Sequence, residues 1–223
     1  MSYIFLILAV LCSYGLMAIT RPKKKIGLQL LLAFSGAFLL AITIFELLPE
    51  VYQATDTKTI GVFIMLGILL QIFLEFFSQG AEHGHIHSEE DSKQFPWLLF
   101  VSLCVHALLE GIPVQGNTPI LYGILIHKIP IALILSIFLL DSKIATHKAI
   151  LFVAIFSLMT PLGSLLAENM EFVLRYKTPI TALVIGVFFH ISTVILFESS
   201  KAHTFNLRKL LVIILGIIFA YFI

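Results

Sequence analysis

Polar breaks divide the chain into eight apolar runs, at about 2–20, 27–48, 59–79, 97–115, 119–140, 147–168, 179–198 and 208–223. A helix needs roughly 17–25 residues to cross the hydrocarbon core of a bilayer; seven runs reach that length and the last, residues 208–223, is at its lower edge. Composition agrees with a membrane setting. The chain is 59% hydrophobic and only 12% charged, where soluble domains carry about 25% charged residues. The fold expected is an all-α integral membrane protein, an eight-transmembrane-helix bundle. No stretch remains for a soluble domain, so residues 1–223 read as a single transmembrane domain with one long connection, residues 80–96. A formal net charge of +1 gives no case for a nucleic-acid partner. Cys12 and Cys104 lie in apolar runs and read as small buried hydrophobes, not as a disulfide or a metal motif.

The first run has no positive segment ahead of it and is followed by "RPKKK". It is expected to be a retained span with its N-terminus outside. Counting from there, Arg21, Lys23, Lys24, Lys25, Lys93, Lys143, Lys148, Lys201, Arg208 and Lys209 fall on the cytoplasmic face. Only Lys58, Arg175 and Lys177 fall opposite, which satisfies the positive-inside rule. The expected location is the cell (inner or plasma) membrane, with both termini extracytoplasmic.

Ionisable groups at membrane depth cost about 2.5–3.5 kcal/mol each on insertion scales and mark functional sites. Here they are Glu46, Glu75, His106, Glu110, His127, Lys128 and His190. In "HALLEG", His106 and Glu110 are four residues apart, on one helical face, with Ser102 a turn earlier. The connection "GNTP" is short, which makes the fifth run an antiparallel neighbour and brings His127 to similar depth. Two imidazoles and a carboxylate suit Zn²⁺, and also Fe²⁺, Mn²⁺ or Cd²⁺. Pro113 and Pro130 each follow a ligand by three residues, and are expected to kink their helices and free the carbonyls of Leu109 and Ile126. Such carbonyls survive in lipid only where protein or cavity water meets them. Glu46 in "ELLPE" and His190 in "GVFFHIS" are read as pathway or supporting residues beside Lys128 and Ser102, the alternatives being a place near the outer interface for Glu46 and a buried structural role for His190. Glu75 is a further candidate of this kind, with pairing to a lysine as its alternative. In the connection at 80–96, His83, His85 and His87 alternate among acidic residues, a pattern that binds Zn²⁺ weakly; this loop is expected to be cytoplasmic.

Together these residues resemble the ZIP (Zrt/Irt-like) family of divalent metal transporters. "GAFLLAITIFELLPE" is similar to the family's second helix, "HALLEG" to the fourth, "HKIP" to the fifth, "MTPLG" to the sixth and "GVFFHIS" to the seventh. The resemblance implies uptake of Zn²⁺ or a related metal into the cytoplasm, with His106, Glu110 and His127 as ligands. Two departures matter. Many members carry a second carboxylate where this chain has Ile131, and Ala107 follows the helix-four ligand. The pair His127–Lys128 matches a His-Lys branch of the family. With Lys128 protonated and facing the site, one divalent ion already leaves a net positive charge, so a second would meet strong repulsion. A single transported ion is expected, with Lys128 replacing a second metal or pairing with Glu110 while the site is empty. Zn²⁺ is here the substrate, and no organic cofactor or enzymatic activity is expected. The partners are the ion and the bilayer, with homodimerisation open. Two other readings use the same residues: a proton-coupled solute transporter, and an intramembrane zinc hydrolase, for which the usual His-Glu-x-x-His helix motif is absent.

Overall fold

The computed structural model describes residues 2–20, 26–54, 56–78, 95–198 and 207–223. His83, His85 and His87, and most of the connection at 80–96, lie outside the described residues. All described elements are helical: α1 (Ser2–Thr20), α2 (Ile26–Ile42), a π-helical turn (Thr43–Leu47), α3 (Leu48–Ala54), α4 (Thr57–Ser78), α5 (Trp97–Gly111), a 3-10 turn (Ile112–Val114), α6 (Thr118–Asp141), α7 (Thr146–Asn169), α8 (Glu171–Arg175), α9 (Lys177–Glu198) and α10 (Leu207–Tyr221). Seven of these helical stretches are long and apolar enough to cross a membrane, one of them running unbroken from Gly27 to Ala54. The chain is an integral membrane protein of α-helices. The eighth run forms α10, which has 15 residues and falls short of the usual span.

Prolines account for the irregular turns. Pro49 has no N–H for the carbonyl four residues back, and the helix before it widens to a π turn, with Leu48 N–H reaching Thr43 O. At Pro113 the helix does not kink and continue. It tightens into the 3-10 turn, and the Ile112 N–H bonds to Leu109 O, so the carbonyl expected to be free has a backbone partner. Pro130 and Pro161 lie inside α6 and α7. Asn117 caps α6, its side chain accepting from Ile120 N–H at 3.1 Å.

The helices pack as two groups, α1, α5, α6 and α7 in one, α2, α4, α9 and α10 in the other, joined through α2 against α6 and α4 against α5. Two glycine crossings set the closest approaches. A Cβ on Gly67 or Gly186 would overlap the Leu183 or Ile64 carbonyl, and one on Gly111 or Gly163 would overlap the Thr160 or Leu108 carbonyl. Without side chains there, α4 lies directly on α9, and α5 on α7, as small residues allow between membrane helices. Gly67 meets Gly186, and eight residues on along α4, Glu75 meets His190, four residues on along α9; these two helices therefore run the same way.

Ion pairs and hydrogen bonds identify the two ends of the bundle. Tyr3 donates to Glu168, and Lys177 lies 3.5 Å from Glu50, which puts the starts of α1 and α9 beside the ends of α7 and α3. At the other end Lys209 donates to Leu196 O at 2.6 Å. Lys58, Arg175 and Lys177 thus share one end, and Lys143, Lys148, Arg208 and Lys209 the other. One expectation needs correction. Cys12 is exposed and Cys104 only half-buried, because lipid tails are as apolar as a core and give a small apolar side chain no reason to face inward. Glu75, a candidate at membrane depth, meets His190 of α9, Oε2 to Nε2 at 2.5 Å.

Candidate functional site

The Gly111–Gly163 crossing brings the backbone of α7 against α5 one residue beyond Glu110, and after the short turn at 115–117 α6 packs on α1 and α2, its Lys128 side chain reaching Glu110 of α5. Four ionisable side chains consequently meet inside the first helix group: His106 at 3% exposure, Glu110 at 1%, His127 at 1% and Lys128 at 2%. A carboxylate buried this deeply needs its lone pairs filled and its charge balanced.

The two oxygens of Glu110 are divided between different partners. Oε2 lies 3.4 Å from His106 Nε2, one helical turn back. Oε1 accepts from the Lys128 ammonium of α6 and from the Thr160 hydroxyl of α7 at 2.7 Å. Lys128 Nζ also donates to Thr160 Oγ1 at 2.6 Å and sits 4.8 Å from the centre of the Phe156 ring, within cation–π range. Lys128, Thr160 and Glu110 thus close a three-membered ring of hydrogen bonds drawn from three helices. The His127 ring stands 6.4 Å from that of His106, nearly perpendicular to it.

His106, Glu110, His127 and Lys128 are therefore brought together, with Ser102 buried a turn before His106 and Ile131 and Ala107 buried close by in sequence. Among the described residues, however, no group of three His, Cys, Asp or Glu side chains stands ready to hold a metal ion jointly. The ammonium and the Thr160 hydroxyl both engage Glu110 Oε1. Glu46 is exposed on the π turn, and His190 is engaged with Glu75 between α9 and α4.

Thr160 and Phe156 are not among the residues expected from the sequence. Their signal was present but quiet: Ser157, Thr160 and Ser164, all buried, form a hydroxyl line at helical spacing through an apolar span. Serine and threonine inside helices commonly bond their own backbone one turn back, so the line alone does not announce a site.

No protein-family model matches the chain. Over 87 residues it is 32% identical to zinc transporter ZIP1 of Danio rerio. The match takes in 36% of this chain and 29% of that protein, so it covers less than a third of the relative's length.

Proposed function

We propose that the chain is a ZIP-type transporter that carries a divalent metal ion, Zn²⁺ first among them, across the membrane into the cytoplasm. On this reading the ion is held by His106, Glu110 and His127 between α5 and α6, the fourth and fifth of eight spans, with α10 as the eighth and both termini outside. The pair His127–Lys128 favours the family's His-Lys branch. Glu110 supplies the charge. The imidazoles supply selectivity against Mg²⁺ and Ca²⁺, which prefer oxygen ligands. Three protein ligands leave a fourth position open, which suits an ion that must bind, yet also leave.

The observation that carries this reading is the buried Glu110 carboxylate, with the His106 imidazole against it, the His127 ring beside that of His106, and an ammonium neutralising it. A cation already belongs at that spot, and an arriving divalent ion exchanges with Lys128. Ile131, where other members have a second carboxylate, and the retained charge of Lys128 both favour one ion at a time. The partial likeness to a zinc transporter supports the substrate class and a transporter rather than an enzyme.

Uptake of Zn²⁺, Fe²⁺, Mn²⁺ and Cd²⁺ into proteoliposomes tests the reading, with Glu110→Gln and His127→Ala alongside. Each substitution is expected to remove at least nine-tenths of the flux, on the order of the 10–100-fold losses typical of perturbed metal sites. Wild-type uptake by both variants would overturn the site.

A further inference from the structure

We propose that Thr160 and Phe156 of α7 form a receptor that keeps the Lys128 ammonium beside the site when a divalent ion takes Glu110. The inference rests on the transport reading above and adds two positioning residues to it. At 2% exposure, Lys128 has no aqueous retreat, and a buried ammonium separated from its carboxylate is strongly unfavourable unless other acceptors meet its donors. Both requirements are met on α7. Thr160 Oγ1 accepts from Nζ at 2.6 Å, and the Phe156 ring offers its negative face at 4.8 Å, an attraction that strengthens away from water.

The orientation of Thr160 sets it apart from hydroxyls that only satisfy a helix. Thr43, Ser136 and Thr193 each donate to the carbonyl four residues back in their own helix. Thr160 instead spends its single proton on Glu110 Oε1, which leaves its lone pairs for the ammonium. When the ion takes Oε1, the hydroxyl loses an acceptor but still accepts from Lys128. The positive charge then stays where a second metal would otherwise sit, and α7 registers whether the site is loaded.

Zn²⁺ binding to the purified full-length protein, titrated calorimetrically, tests this through a double-mutant cycle. Thr160→Val is expected to weaken binding by about tenfold, the scale of one hydrogen bond to a charged group, because the loaded state loses the α7 oxygen that receives Lys128. Thr160→Ser is expected to bind like wild type. In a Lys128→Gln background, Thr160→Val is expected to change the affinity less than twofold. An equal loss in both backgrounds, or none with Lys128 present, overturns the proposal. Should Lys128→Gln not fold, Phe156→Leu replaces it: weaker Zn²⁺ binding supports the receptor, and wild-type affinity in both Phe156→Leu and Thr160→Val sinks it. Failure of the underlying transport reading is seen separately, as undiminished Zn²⁺ binding by Glu110→Gln.

Discussion

A carboxylate at 1% exposure within a membrane-spanning helix must be neutralised, and Glu110 achieves this with Lys128 from α6 and hydroxyl support from α7. Breaking such a pair from one side costs about 3–5 kcal/mol, whereas replacing both partners is close to neutral. Lys128→Gln is therefore expected to lower the thermal stability of the metal-free protein sharply, and Lys128→Gln with Glu110→Gln to recover most of the loss. A detergent melt followed by intrinsic fluorescence measures both, and equal melting of the single and double variants would refute the pairing. The same Lys128→Gln change removes the competitor for Glu110, so Zn²⁺ is expected to bind about tenfold more tightly, a difference of about 1.4 kcal/mol, read by titration. The sequence displayed His106, Glu110, His127 and Lys128 plainly, because ionisable residues stand out in apolar runs. It did not display Thr160 as their partner, since a mid-helix threonine commonly bonds its own backbone.

Elements meet where glycine lets them. Gly67 with Gly186, and Gly111 with Gly163, allow α4 onto α9 and α5 onto α7 at backbone contact, and the second crossing is what carries Thr160 to Glu110. Gly67→Ala and Gly186→Ala are expected to destabilise the protein by about 1–3 kcal/mol through overpacking. Gly15→Ala and Gly61→Ala, which face open space, are expected to be neutral or to stabilise by up to about 1 kcal/mol, the helix-propensity gain over glycine. Thermal melts of the four variants separate these outcomes; equal shifts at all four sites would contradict the crossings. The boundaries of the seven long helices were legible to within a few residues from hydrophobic length, except that the second, expected to end near 48, continues to Ala54. The behaviour at Pro113 was not: whether a proline kinks a helix or ends it depends on the residues beyond it, here a turn into the Asn117 cap.

Across the whole molecule, two four-helix groups hold different polar pairs, Glu110 with Lys128 in one and Glu75 with His190 in the other. The basic residues sort to opposite ends, with Lys58, Arg175 and Lys177 at one and Lys143, Lys148, Arg208 and Lys209 at the other. The orientation proposed from the positive-inside rule makes the second end the cytoplasmic one. In a variant lacking Cys12 and Cys104, Gln115→Cys and Glu171→Cys are expected to react with a membrane-impermeant maleimide in intact cells. Ser142→Cys is expected to react only after the membrane is opened, and the reverse pattern would invert the orientation.

The sequence by itself determined that the chain is a helical membrane protein, where its seven long apolar helices lie, and which few ionisable residues they carry. Those properties follow from hydrophobic length and from the cost of charge in lipid, both of which are local. Only the tertiary structure decided which oxygen of Glu110 meets which partner, that α7 supplies Thr160 and Phe156 to Lys128, and that His190 belongs with Glu75. Such pairings depend on how closely helices distant in sequence approach, and that is set by glycine crossings whose partners no single run reveals.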